Sequence, residues 1–229
     1  MRVALVTVGD ELLVGDTVNT NAAWLGERLT ERGASVERVA VVPDRETDIA
    51  RVVNELRAEH DAVVVTGGLG PTHDDRTMAG VAAAVGVPVE EHEEAVAWLT
   101  DRDGYARGDL ADGTTNLPRG SRLLPNEAGV APGCVIESVY VLPGVPEEMR
   151  AMFESVADEF TGERRHVRVV EAGEPESALV DRLADLREKF DVTVGSYPGD
   201  YVRLKLQSTD EDELARAAAW LHERVEPTE

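Results

Sequence analysis

A run of apolar residues leads directly into a glycine-rich turn at residues 62–71, which read AVVVTGGLGP. The apolar part, Ala62 to Val65, has the continuous pattern of a strand that is buried on both faces of a parallel sheet. Two adjacent glycines and a third one two residues later let the chain turn tightly and point its N–H groups into a concavity. Such turns before a helix bind phosphate or another anion, although many glycine-rich strand-to-helix turns are only structural. This stretch therefore predicts an α/β fold and leaves both roles of the loop open.

Strands and helices alternate along the chain up to about residue 160. The opening run Val3 to Val8 reads as another doubly buried strand, and the turn-rich residues 9–15 follow it. Asn19 or Asn21 is suited to cap the helix that comes next, since a short polar side chain accepts from the free N–H groups of a first helical turn. This alternation predicts a doubly wound α/β domain over residues 1–162.

Several later stretches have patterns of their own. Residues 100–120 are polar and rich in Gly and Asp, which predicts an exposed insertion. Two short apolar runs on either side of Glu137 and Ser138 predict a β-hairpin, and Pro146 is suited to the first position of the following helix. After residue 162 the pattern becomes β-α-β-β-α, which predicts a small α+β domain over residues 163–229.

The charge balance is strongly acidic. Lys and Arg together number 23 against 45 Asp and Glu, which gives a formal net charge of −22. Such a balance fits either a protein of a very salty cytoplasm, where ions screen the self-repulsion, or an ordinary acidic protein. It argues against a nucleic-acid partner, because binding to nucleic acid depends on basic residues that neutralise phosphates.

The sequence also limits the compartment and the redox chemistry. No apolar run reaches the roughly 20 residues of a membrane span, and the N-terminus lacks the pattern of a signal peptide. The one cysteine, Cys134, excludes a disulfide framework and a cysteine-based zinc site, and we expect it to be buried in an apolar strand. We therefore expect a cytoplasmic globular protein that does not contact a membrane.

Acidic side chains follow several of the predicted strands. Asp10 and Glu11 come after the first strand, Asp44 after the second, and Asp74 and Asp75 after the third. Because ligands bind at the carboxyl ends of strands in open α/β sheets, the fold would gather these carboxylates beside the glycine loop. Carboxylates next to an anion site suit a divalent cation that bridges to phosphate and activates water. The alternative is that Asp44 and Asp74 only cap helices.

Several separate motifs, in this order, resemble the CinA-type branch of the molybdopterin-binding (MoaB/Mog) domain superfamily. They cover residues 1 to about 155 and are GDELLVG at 9–15, NTN at 19–21, TGGLGPT at 66–72, DDRT at 74–77, NEAGVAPG at 126–133 and LPGVPEEM at 142–149. The C-terminal β-α-β-β-α segment resembles, more loosely, the small KH-like domain that follows in CinA proteins.

The resemblance implies a three-layer α/β/α fold that forms homo-oligomers, either dimers or trimers. It also implies a small-molecule partner, a nucleotide or a pterin phosphate such as molybdopterin, and a divalent ion such as Mg²⁺, Co²⁺ or Mn²⁺, with K⁺ as a further ion. Asp44 and Asp75 match essential aspartates of molybdopterin-adenylylating relatives, and with Asp74 and Glu11 they make up the expected metal-binding and catalytic set. The resemblance places the substrate at the motif residues Asn21, Thr66, Gly67, Gly68, Gly70, Pro71, Thr72, Thr77, Gly144 and Pro146.

The sequence departs from full-length CinA proteins in two ways. Those proteins continue into an amidase domain, whereas this chain stops at Glu229, so we expect amidase activity to be absent. Where the family has an Asn-x-Lys-Gln-Ala segment, residues 111–115 read ADGTT, which changes the expected substrate contacts.

These features predict a metal-dependent nucleotide pyrophosphohydrolase that acts on ADP-ribose or an FAD-like diphosphate. Asp44 and Asp75 would hold the metal, Glu11 would be a further ligand or the base for water, and the amides of residues 66–71 would stabilise charge on the phosphoryl oxygens. Two alternatives stay open because similarity of fold does not fix chemistry. They are a non-catalytic molybdopterin- or nucleotide-binding module and an adenylyltransferase of molybdenum-cofactor biosynthesis. For the acidic small domain we expect a role in oligomerisation or as a lid rather than in RNA binding.

Overall fold

Strands without a polar face form the centre of the first part of the chain. The computed structural model describes residues 1–70, 75–103, 113–163 and 165–228, and the chain divides into two units, Met1–Gly162 and Glu163–Glu229. In the first unit the elements are, in chain order, β1 Arg2–Val8, α1 Asp10–Val14, α2 Thr20–Glu31, β2 Ser35–Val42, α3 Glu46–Glu59, β3 Ala62–Thr66, α4 Thr77–Val85, β4 Val89–Glu91, α5 Glu93–Asp103, β5 Asn116–Pro118, β6 Arg122–Leu124, β7 Gly133–Ile136, β8 Val139–Leu142 and α6 Pro146–Val156.

The main sheet has the strand order β2-β1-β3-β8-β7-β6. β2, β1, β3 and β8 are parallel to one another, whereas β7 is antiparallel to both of its neighbours, β8 and β6. The central strands β1 and β3 are buried almost throughout, which agrees with their uninterrupted apolar sequences. The carboxyl ends of four neighbouring strands therefore lie at the same edge of the sheet.

Helices cover both faces of this sheet. On one face, α2 and α6 bury residues such as Leu25 and Phe153 against the strands. On the other face, α3, α4 and α5 bury residues such as Ile49, Val81 and Ala95. The predicted three-layer α/β/α fold with a mostly parallel sheet is thus confirmed.

Several local predictions are confirmed as well. Asn19 is the N-cap of α2, and its side chain accepts a hydrogen bond from the Ala22 N–H over 3.1 Å. β7 and β8 form the predicted hairpin, in which Glu137 has a positive φ of 51°. Pro146 is the first residue of α6, and Cys134 is fully buried.

Two local predictions are wrong. The turn-rich residues 9–15 contain the helix α1, which buries none of its five residues, so no apolar periodicity in the sequence could indicate it. Residues 100–120 are not simply an exposed insertion, because Asn116–Pro118 forms β5, pairs with β4 and buries Leu117. A strand of three residues is too short to show the alternation by which strands are predicted. Residues 104–112 lie outside the described residues.

The second unit has the predicted order β-α-β-β-α. Its elements are β9 His166–Ala172, α7 Glu176–Lys189, β10 Thr193–Tyr197, β11 Val202–Ser208 and α8 Glu211–His222. The three strands form an antiparallel sheet in the order β10-β11-β9, and residues such as Leu179, Leu204 and Leu221 form a core of its own. In the described parts of both units, every helix is too short or too polar to cross a membrane.

Candidate active site

A cavity of about 320 Å³ lies at the carboxyl ends of the parallel strands. Because β1, β2, β3 and β8 point the same way, the segments that follow each of them meet here. The cavity is lined by Thr7, Val8, Gly9, Glu11, Leu12, Thr17, Val18, Asn19, Thr20, Asn21, Asp44, Thr66, Gly67, Gly68, Asp75, Gly144 and Pro146.

The glycine loop after β3 crosses the middle of this cavity. Gly67 and Gly68 have φ angles of +99° and +62°, in the left-handed region that side chains other than glycine rarely adopt. A side chain on Gly67 would collide with the Val8 carbonyl oxygen. The Gly67 N–H donates to the Leu142 carbonyl over 3.2 Å, and the Thr77 N–H donates to the Gly68 carbonyl over 3.3 Å. These contacts fix the loop between β1, β8 and the start of α4.

The Asp44 carboxylate lines the cavity, and a hydrogen bond fixes its orientation. One of its oxygens accepts a hydrogen bond from the Asp10 N–H over 3.0 Å. Burial raises the pKa of the Asp44 carboxyl above its ordinary value, and the neighbouring carboxylates of Asp10, Glu11 and Asp75 raise it further, whereas the Asp10 N–H lowers it. The site therefore concentrates negative charge and favours either a proton or a cation.

The capping role considered for Asp44 is wrong. The N-cap of α3 is Arg45, and no side chain caps that helix. The N-cap of α4 is likewise Arg76, again without a side-chain hydrogen bond to the first turn. Asp44 therefore has no structural role at the helix that follows it, and its carboxylate is directed to the cavity instead. Asp74, the other residue considered as a cap, lies outside the described residues.

Two further carboxylates border the same loops. The Glu11 carboxylate occupies the place where a side chain on Gly9 would lie. The Asp75 carboxylate lies against Gly70 in the same way. Both side chains also line the cavity.

Polar side chains on α2 and α4 support the loops. Asn19 donates to the Thr7 hydroxyl over 2.9 Å, and Asn21 donates to the Gly144 carbonyl over 2.7 Å. The Thr77 hydroxyl lies beside Gly68, where an added Cβ would also come within 3.2 Å of an Asp44 carboxylate oxygen. Thr77 is fully buried, and its hydroxyl has no hydrogen-bond partner within the described residues.

The structure brings most of the predicted site residues together. Those that line the cavity are Glu11, Asn21, Asp44, Thr66, Gly67, Gly68, Asp75, Gly144 and Pro146. Thr77 lies directly behind Gly68, and Gly70 lines adjacent cavities rather than this one. Pro71 and Thr72 lie outside the described residues, as does Asp74.

Sequence reasoning did not assign Thr7, Thr17 or Thr20, although all three line the cavity. A signal existed only for Thr7, which is a polar residue within the otherwise apolar β1 and is itself buried. Thr17 carries no such signal, because it lies in a polar connection where any residue type would read as loop, and Thr20 is marked only by its place in the NTN motif at 19–21.

The charged side chains in the described lining of this cavity are all acidic. Among the described residues around this cavity there are carboxylates but no Lys, Arg or His side chain. The described residues also contain no group of three or more His, Cys, Asp or Glu side chains arranged to hold a metal ion. The described lining therefore combines three carboxylates, those of Glu11, Asp44 and Asp75, with the backbone of the glycine loop.

Comparisons with known proteins agree with this architecture. The family described as "Probable molybdopterin binding domain" matches residues 4–162, and the family described as "FAD synthase, middle domain" matches residues 164–229. A protein of Archaeoglobus fulgidus is 36% identical over 225 residues, which cover 97% of each chain. A protein of Pyrococcus furiosus is 38% identical over 242 residues, which cover 96% of each chain.

A solved structure is similar to the first unit. The crystal structure of the protein CinA from Thermoplasma acidophilum, described as of unknown function, has 37% sequence identity and a TM-score of 0.65 to this chain. The similarity covers 69% of this chain and 97% of that one. The chain therefore belongs to the molybdopterin-binding domain family, in its CinA-type branch.

Proposed function

We propose that this chain hydrolyses the diphosphate linkage of a nucleotide such as ADP-ribose or FAD, with a divalent cation. The observation that carries this proposal is that Asp44 and Asp75 share one cavity with the left-handed Gly67–Gly68 turn. A diphosphate and a cation need these two kinds of group, backbone donors and carboxylates, at adjacent positions.

In this proposal the glycine turn supplies hydrogen-bond donors to the anionic part of the substrate. The Gly68 N–H has no backbone acceptor within the described residues, and the buried Thr77 hydroxyl lies beside it. Thr77 is buried and Gly68 is half-buried, and hydrogen bonds from such donors to a charged phosphate are stronger than those between neutral groups. In phosphoryl transfer, donors fixed in this way stabilise the charge that develops on the transferred group.

In this proposal the carboxylates of the cavity hold the cation. Since no basic side chain among the described lining residues can neutralise a diphosphate, the negative charge of substrate and site together requires a counter-ion. Mg²⁺ is commonly held by one or two carboxylates, waters and substrate phosphates rather than by a complete protein cage. Asp44 and Asp75 fit that requirement even though the described residues contain no larger metal-binding group. When bound, such an ion would polarise the phosphoryl oxygens and lower the pKa of a water molecule.

The remaining residues have supporting roles in this proposal. Glu11, whose carboxylate lies over Gly9, would be a further ligand or would accept the proton of the attacking water. Asn21 holds the Gly144 carbonyl and so fixes the wall that faces Gly67, where an added Cβ on Gly144 would come within 3.2 Å of the Gly67 Cα.

A panel of ADP-ribose, FAD, NAD and ATP with Mg²⁺, Mn²⁺ or Co²⁺ in molar KCl, followed by the release of AMP, tests the proposal. We expect turnover of at least one diphosphate that disappears with a chelator and in Asp75→Asn, while the circular dichroism spectrum stays unchanged. Metal-dependent turnover that persists in Asp75→Asn would refute the assignment.

A non-catalytic molybdopterin- or nucleotide-binding module is the second candidate. It is favoured by the lack of a group of three metal-ligating side chains in the described residues. This candidate predicts saturable binding that does not depend on a metal and no turnover of any compound in the panel. Activity that requires ATP and molybdopterin together would instead indicate an adenylyltransferase.

A further inference from the structure

A second cavity of about 480 Å³ opens on the far side of the glycine loop. It shares Gly68, Asp75 and Gly144 with the first cavity, so the two cavities adjoin each other along the glycine loop. Beyond the shared residues, its lining comes from the glycine loop at Leu69 and Gly70, from Gly129–Ala131, from Pro143 and Val145, and from Glu148.

Glu148 connects the two segments that form the walls. It lies in the first turn of α6, which begins directly after the segment at 143–145. Its carboxylate accepts a hydrogen bond from the Asn126 side chain over 2.8 Å. The same Asn126 amide group donates to the Ala131 carbonyl over 2.9 Å. Asn126 is fully buried, so it can hold both partners in one fixed geometry.

The position of Gly129 shows how closely the wall depends on this contact. The Glu148 carboxylate occupies the space in which a side chain at position 129 would lie. A side chain at position 129 would therefore displace the Glu148 carboxylate from its contact with the Asn126 amide. Loss of the Glu148 carboxylate would leave that space empty and would remove an acceptor from the buried Asn126 amide.

The walls have a lining that suits a flat, uncharged group. Val130 and Val145 are 47% and 53% exposed, and both line the second cavity. The charged side chains among its described lining residues, Asp75 and Glu148, are both acidic. A further phosphate would be repelled here, whereas an aromatic ring would bury apolar surface against the two valines.

We propose that Glu148 is a positioning residue that holds the wall of a second subsite, in which an uncharged planar part of the substrate binds beyond the diphosphate. This inference rests on the proposed function for its account of where the diphosphate lies. It goes further in stating that the site recognises an extended substrate, through a residue that does not contact the reacting atoms.

The test compares a long ligand with a short one. The long ligand is the α,β-methylene analogue of ADP-ribose and the short one is methylenediphosphonate, both with Mg²⁺ in molar KCl, with binding measured by calorimetry. In Glu148→Ala we expect the Kd of the long ligand to rise about tenfold or more, and the Kd of the short ligand to change less than about twofold. Glu148→Gln keeps an acceptor for Asn126 and should bind both ligands as the unmodified protein does.

Two matched variants complete the set. Glu147→Ala removes an exposed carboxylate from the same helical turn and should change neither Kd, which controls for the lost charge. Val130→Asp changes an exposed side chain, so it does not endanger folding, and it should weaken only the long ligand. If Glu148→Ala proves unstable, Val130→Asp still tests the subsite.

Kinetics separate a positioning role from a merely structural one. With ADP-ribose, Glu148→Ala should raise KM and leave kcat nearly unchanged, because only binding is weakened. Partial unfolding would instead lower the active fraction, and so the apparent kcat, without changing KM. The inference is overturned if both ligands weaken equally, if the long ligand is unaffected, or if neither ligand binds the unmodified protein. If the unmodified protein binds the long ligand but hydrolyses no diphosphate of the panel, the proposed function fails and the Kd comparison still decides the subsite.

Discussion

The Asp10 N–H donates to the Asp44 carboxylate over 3.0 Å and so connects the segment that follows β1 with the segment that follows β2. The two residues are far apart in the sequence and meet because β1 and β2 are parallel neighbours that end together. This contact leaves the second Asp44 oxygen, Oδ1, facing the glycine loop. The arrangement makes Asp44 the residue whose substitution tests the site most directly.

Replacement of Asp44 by Asn should remove metal-dependent turnover without unfolding the protein. Asn keeps a carbonyl oxygen that can accept from the Asp10 N–H, but it carries no charge for a cation. We expect kcat/KM for the best diphosphate to fall more than about 100-fold. The melting temperature in molar KCl checks that the fold is retained. Undiminished kcat/KM would show that Asp44 does not hold the cation.

The raised pKa of Asp44 gives a second prediction, on stability. Because the folded state binds this proton more tightly than the unfolded state, ionisation of Asp44 costs stability as the pH rises through the raised pKa. Asp44→Asn should therefore be more stable than the unmodified protein at neutral pH, and the difference should shrink as the pH falls towards the ordinary carboxyl range. Urea unfolding at a series of pH values measures this.

Asp61, a carboxyl group whose pKa is shifted in the opposite direction, provides the control for that series. The Arg2 N–H lowers the pKa of the exposed Asp61 carboxyl. Asp61→Asn should therefore lose stability at neutral pH and lose none at the acid end, where the carboxyl is protonated in both states. The same sign of change for both variants would contradict the environment described for Asp44.

Gly68→Ala should be both destabilising and unable to bind a diphosphate. The left-handed φ of +62° costs a residue with a side chain about 1–2 kcal/mol, and the added Cβ would collide with the Thr77 hydroxyl. Gly86 also has a left-handed φ, of +76°, but nothing lies within 4 Å of an added Cβ there. Gly86→Ala should therefore show the conformational cost in urea unfolding and bind methylenediphosphonate normally. Equal binding by both variants would argue against the glycine turn as the anion site.

Removal of the Thr77 hydroxyl should have opposite effects on protein stability and on diphosphate binding. Its hydroxyl is fully buried and has no partner in the described part of the chain, so its removal in Thr77→Val should raise the free energy of unfolding by about 1 kcal/mol. The same change should weaken methylenediphosphonate about tenfold, which corresponds to about 1.4 kcal/mol. Thr77→Ser keeps the hydroxyl and should bind as the unmodified protein does. A Val variant that is less stable, or that binds equally well, would refute the donor role.

Local sequence patterns were sufficient for much of the fold. The apolar runs of β1 and β3, the Asn19 cap and the hairpin at Glu137 each depend on a few adjacent residues, and the structure confirms them. The helix α1 could not be predicted in this way, because it buries no side chain and the residue before it, Gly9, is held by the Val42 carbonyl of the neighbouring strand. β4 and β5 pair across a long connection and are each three residues long, so neither gives a pattern of its own.

The sequence by itself determined the order of the longer strands and helices, the glycine turn at residues 66–70 and the acidic residues after the strands, since backbone propensity and burial act over short distances. The tertiary structure alone decided which of those acidic residues face a common cavity. Only strand pairing brings Asp44 to Asp10 and excludes its role as a helix cap. The tertiary structure also places the Glu148 carboxylate beside Gly129, a contact between two segments that no local sequence pattern encodes.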